Sequence, residues 1–180
     1  MIKTKGQFCI NMIKRTVSIL LIAAIASLAA ILFAACANCG TGSTNGGEAT
    51  RMDTVKEISD FIKTRASFAE LESVNETDLS DVFGVEADKL KCFEMLLSVD
   101  KTLADEIAVF ELSDASYKSE LMSLLKARLS SAANMARDYS PKQYDIIIKS
   151  TVEEMGNFVF YVVNEKSESI ISELKRIMEG

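Results

Sequence analysis

The sequence predicts an α+β fold: a small antiparallel sheet of about four strands in two hairpins, packed with helices and standing behind an N-terminal signal helix. Three observations predict it. Two stretches, 89–112 and 151–164, each read as a pair of extended runs joined by a short polar loop. Around and between them, apolar residues recur at helical spacing. Ahead of everything lies an apolar run without charge, which fits export better than a folded core.

That leading run justifies the first boundary. Met12-Ile-Lys-Arg15 supplies positive charge, and residues 17–35 supply an apolar core that ends in Phe33-Ala34-Ala35-Cys36. The ending resembles a lipobox: small residues at 34 and 35 admit a peptidase to extended backbone, and the Cys36 thiol accepts a diacylglyceryl group. Phe33 departs from the usual Leu, Val or Ile. Met12 repeats the Ile-Lys that follows Met1, so it is a second candidate start. Two rival readings stand beside lipidation. The run is long enough for an uncleaved membrane anchor, but it ends in small residues and a cysteine, not in a charged stop. Cys36 and Cys39 have CxxC spacing, but a redox pair belongs at a helix start beside a strand.

Residues 36–50 are small, polar and Gly-rich, and are expected to be a lipid-anchored flexible linker. Such a tether spans about 20 Å. Residues 51–180 then suffice for one compact core. Thr54-Val-Lys-Glu57 reads as a capping box opening a helix over 54–67, with Val55, Ile58 and Ile62 on its inner face. Leu79, Val82 and Phe83 mark a short second helix stopped by Gly84. Phe93, Met95 and Leu97 share one face of a first strand. In the second, Ile107 and Val109 oppose Ala108, Phe110 and Leu112. A long helix over 114–138 carries Leu121, Leu124, Leu125, Ala132 and Met135 as its buried stripe, with Lys118, Lys126 and Arg137 off it. Ser140-Pro141-Lys-Gln143 opens the next helix, with Ser140 as cap and Gln143 returning the bond. That helix holds Tyr144 and Ile147. Gly156-Asn157 suits a two-residue turn. The strand behind it, 158–163, is apolar on both faces and so predicted central. A last amphipathic helix carries Ile170, Ile171, Leu174, Ile177 and Met178.

Charge and composition exclude several functions. The chain carries a net charge of −6. All 26 acidic but only 16 of the 20 basic residues follow residue 35, so the portion behind the signal stands at −10. That balance argues against nucleic acid, whose phosphates demand a basic stripe. There is no histidine, which removes Ser-His-Asp and Cys-His catalysis and His-ligated zinc. Cys92 is the sole cysteine beyond the linker; a bridge to Cys39 is open to it, but it reads as a buried free thiol, and no metal site and no cofactor are expected. What remains is carboxylate chemistry. Glu94 and Glu106 are the weak catalytic candidates, Glu94 and Glu111 face each other across the first hairpin, and Asp105-Glu106 and Glu153-Glu154 are adjacent pairs. Neighbours in a strand point to opposite faces, so each pair gives a site at most one carboxylate. Solvated charge is the plainer reading, and Glu106 serves equally as a structural hydrogen-bond acceptor. Tyr139, Tyr144, Phe158, Phe160 and Tyr161 have the spacing of buried faces, with an exposed recognition patch as the alternative.

Three segments taken in order, Ala104-Asp-Glu-Ile-Ala-Val109, Tyr139-Ser-Pro141 and Gly156-Asn-Phe-Val-Phe-Tyr-Val-Val163, resemble a family of small exported lipoproteins. The family occurs mainly in Gram-positive bacteria, and its conserved domain has no assigned function. The resemblance spans roughly residues 52–178. It implies lipidation at Cys36 and the α+β arrangement, and carries over no catalytic residue. The expected role is a non-enzymatic binding or interaction domain, held at the exterior face of the cytoplasmic membrane by the lipid on Cys36, with a protein or cell-wall partner. The alternative is a carboxylate-dependent cell-wall hydrolase, which needs two converging acids. A transporter's substrate receptor fits the anchor but not the length.

Overall fold

The computed structural model describes residues 52–180. The signal, the linker, Phe33, Ala34, Ala35 and Cys36 lie outside the described residues.

The fold opens on the expected capping box. The Thr54 hydroxyl accepts from the Glu57 amide at 3.2 Å, and the Glu57 carboxylate accepts from the Thr54 amide at 3.1 Å. Helix α1 (Val55–Arg65) then buries Val55, Ile58, Phe61 and Ile62. Strand β1 (Leu71–Ser73) leads to α2 (Glu76–Phe83), which Asn75 caps and Gly84 ends in the left-handed region at φ 68°. Strands β2 (Leu90–Ser98) and β3 (Glu106–Leu112) form the first hairpin. A 3₁₀ turn at Ala115–Tyr117 feeds α3 (Lys118–Tyr139), and α4 (Pro141–Ile147) turns back from its end. The second hairpin is β4 (Glu153–Met155) and β5 (Phe158–Val163), turning at Gly156 with φ 57°. Helix α5 (Ser167–Glu179) closes the domain.

All pairings are antiparallel, in the order β1-β2-β3-β5-β4. The sheet therefore has five strands where about four were expected. The extra one, β1, is three residues long, too short for alternation to announce it. Both edge strands are this short, which limits the unpaired backbone the sheet offers to another chain. Strand β5 is interior as expected, although β3 is the middle strand.

Alternation along the strands builds two cores. Ala108, Phe110 and Leu112 pack with Met95, Tyr161 and the α3 leucines on one face. Ile107, Val109, Leu96, Phe160 and Val162 pack under α1 and α5 on the other. The result is a sheet between helical layers.

Four local expectations are corrected. Met135 is 65% exposed; the buried positions of α3 are Leu121, Leu125, Leu129 and Ala133, an i+4 row from which residue 135 is rotated away. Ser140 makes no side-chain cap, and Gln143 instead accepts from the Ala104 amide at 2.9 Å, tying α4 to the β2–β3 loop. Cys92 is half-buried and disulfide-bonded, not a buried free thiol. Tyr139, assigned to the core by spacing, is 90% exposed because it stands at the last turn of α3, beyond the sheet. Phe160 and Tyr161 are fully buried, as their spacing implied.

Candidate functional site: a groove over a buried acid–base pair

The site arises from a change of residue size along α3. In its first half Leu121, Leu125 and Leu129 fill the space above the sheet. In its second half the inward positions are Ala132, Ala133 and Ala136. Small side chains leave the helix and the sheet end unfilled between them, and α4 folds back as a second wall. The opening is a groove of about 580 Å³, within the range of small-molecule sites. Its apolar lining includes Leu97, Leu129, Ile147 and Val163, and Leu103, Met135 and Tyr139 extend it to the rim.

At the floor stands Glu106, the first residue of β3, 5% exposed. Arg128 of α3 reaches down to it; Nε and Nη2 both donate to Oε1, at 2.9 and 2.5 Å. The guanidinium also lies over the Phe83 ring, 4.5 Å from its centroid. Burial raises the Glu106 carboxyl above its ordinary value, and the charge and hydrogen bonds of Arg128 only partly offset this. The buried Tyr161 hydroxyl approaches both members without hydrogen-bonding geometry to either. Burial, and then the Glu106 charge, push its pKa well up, so it stays a neutral phenol.

The second candidate acid is elsewhere. Glu94 of β2 lies on the opposite sheet face, where Lys63 of α1 donates to it at 2.9 Å. Glu94 and Glu106 therefore do not converge. Nor do Glu94 and Glu111 meet directly: Glu94 pairs with Val109 and Glu111 with Cys92, and Lys91 donates to Glu111 at 2.6 Å. Asp105 accepts from the Ala69 amide at 2.8 Å and from Asn164 Nδ2 at 3.0 Å, which fastens the end of α1 to the sheet. Glu153 pairs with Lys175 on one side and Glu154 approaches Lys118 on the other, as adjacent strand residues must. Among the described residues no group of His, Cys, Asp and Glu is placed to hold a metal ion, and no helix is long and apolar enough to cross a membrane.

Sequence reading missed Arg128. The signal was present: it is the one base in register with Leu121, Leu124 and Leu125, and a charge on an apolar stripe calls for a buried partner.

Fold and site together define an α+β domain with an apolar groove over an acid–base pair. The chain belongs to the family described as domain of unknown function (DUF4358), whose model matches residues 64–164. That interval contains Glu106, Arg128 and both helical walls of the groove. No curated protein and no solved structure matches the chain.

Proposed function

We propose that this protein is an exported lipoprotein whose domain binds a ligand or partner outside the cell through the groove over Glu106 and Arg128. In this reading the Phe33-Ala34-Ala35 segment is the cleavage site, Cys36 carries the lipid, and the cytoplasmic membrane is the first partner. The resemblance to lipoproteins of mainly Gram-positive bacteria supports this. One observation carries the assignment of the groove: all three segments behind that resemblance contribute to its lining, Ala104 to Glu106 from the first, Tyr139 and Ser140 from the second and Val163 from the third. They are far apart in sequence and meet at this end of the sheet.

The chemistry of the floor favours binding over hydrolysis. A carboxylate-dependent hydrolase uses two acids flanking one bond, about 5 to 9.5 Å apart. Here the buried acid faces a base, and the other candidate acid is across the sheet.

Radioactive palmitate tests the anchor. Label is expected in the wild-type protein and lost in Cys36→Ser; equal labelling of both removes it. A photo-crosslinker replacing Met135 tests the groove. It should trap a discrete partner or ligand that the same group at Glu168, on the exposed face of α5, does not; identical products from both sites count against the groove.

A further inference from the structure

We infer that the groove takes an apolar molecule bearing a single carboxylate. This deepens the binding reading above and rests on it. Four charged residues line the groove: Lys101, Asp105, Glu106 and Arg128. The acids are spent inside the protein, Asp105 on Ala69 and Asn164, Glu106 on Arg128 with 7% of its side chain exposed. The bases are paired as well, Arg128 with Glu106 and Lys101 with Glu72 at 2.5 Å and the Ser98 carbonyl at 3.0 Å, but they are the more accessible side chains, with 29% of Arg128 and 69% of Lys101 exposed. The four lining charges cancel, but the acids are turned inward and the exposed side chains are the basic ones, so this apolar opening offers donors to an anionic acceptor.

The leftover hydrogen-bonding groups agree. Arg128 spends Nε and Nη2 on Glu106, so Nη1 donates to no protein group among the described residues. Gln143 uses its carbonyl oxygen on Ala104, and its amide NH₂ donates to nothing among the described residues. Both residues line the groove. A head group that only accepts complements two free donors, and a carboxylate is such a group. One partly neutralised guanidinium suits one negative charge, not the two of a phosphate monoester. The remaining lining, Leu97, Leu129, Ala132, Ile147 and Val163 with Leu103 at the rim, accommodates an apolar body.

Titration calorimetry of the lipid-free domain behind the linker would lack its natural context, so the test uses the full mature protein in detergent. The probes are decanoate, decanol and decyltrimethylammonium below their micelle-forming concentrations. Decanoate is expected to bind at least about tenfold more tightly than decanol, and the cation not at all, at about 1.4 kcal/mol per decade. Met135 is exposed, so charge changes there leave the fold intact. Met135→Glu should weaken decanoate about threefold to tenfold while sparing decanol, and Met135→Lys should not weaken it. Ala136→Phe, which fills the groove, should abolish binding of both. If decanol binds as tightly as decanoate and Ala136→Phe blocks both, the carboxylate assignment falls and the binding groove stands. If no probe binds, or Ala136→Phe leaves binding unchanged, this proposal is overturned; failure of the crosslinking test above would then decide whether the groove itself falls.

Discussion

Replacing Arg128 by Met removes the base that, among the described residues, faces Glu106, and the consequences can be worked from the geometry. Glu106 is 5% exposed and receives two charge-assisted hydrogen bonds, both from Arg128. Breaking a buried pair by deleting one partner costs about 3–5 kcal/mol, because the remaining charge is stranded in low dielectric. Some of that is relieved by protonation. The folded-state pKa of Glu106 is already raised by burial, and loss of Arg128 removes the main influence holding it down. A carboxyl whose folded pKa lies above its unfolded one favours the folded state at low pH, and that contribution is lost as pH rises through the folded value. The penalty for Arg128→Met should therefore be largest near about pH 7.5 and shrink toward about pH 5. Urea unfolding at both pH values reads it. Adding Glu106→Gln to Arg128→Met removes the stranded charge and should recover about 2 kcal/mol or more at the higher pH. A single variant that loses less than about 1 kcal/mol, or a penalty that grows on acidification, would refute the reasoning.

Other perturbations follow from particular contacts. Tyr161→Phe deletes a buried hydroxyl that has no hydrogen-bond partner, so thermal unfolding should show a change within about 1 kcal/mol of zero, with stabilisation the favoured sign. Thr54→Ala dissolves the capping box of α1 and should cost about 1 kcal/mol by urea unfolding. Gly156→Ala meets no atom within 4 Å but must hold φ 57°, so a loss of about 1 kcal/mol would come from backbone strain alone. Glu94→Gln disrupts a half-exposed pair with Lys63 and should change stability by less than about 1 kcal/mol, in contrast to the Glu106 pair.

Much of the fold was legible because its signals are local. The capping box at Thr54, the glycine stops at 84 and 156, and the alternation in 106–112 each bind a few neighbouring residues to one conformation, and each is found in place. What escaped depends on contacts between distant segments. Strand β1 exists because Leu71, Glu72 and Ser73 pair with Ser98, Leu97 and Leu96, and three residues carry no period. Gln143 satisfies the Ala104 amide, 39 residues away, in preference to its own helix start. Of the site, Glu106 was singled out, either as a catalytic candidate or as a structural hydrogen-bond acceptor, and it accepts two hydrogen bonds. Its partner is Arg128, whose place on the leucine stripe of α3 was readable and was not read. The groove itself follows from three alanines, residues that announce a helix and give no warning of the space they leave above a sheet.

Binding in the groove over Glu106 and Arg128 is tested most directly by methyl NMR of the full mature protein in detergent during titration with decanoate. The account predicts shifts at Leu97, Leu129, Ile147 and Val163, which line the groove, with Ile58, Ile62 and Leu174 in the opposite core unmoved. Shifts concentrated at Ile58, Ile62 and Leu174 would contradict it.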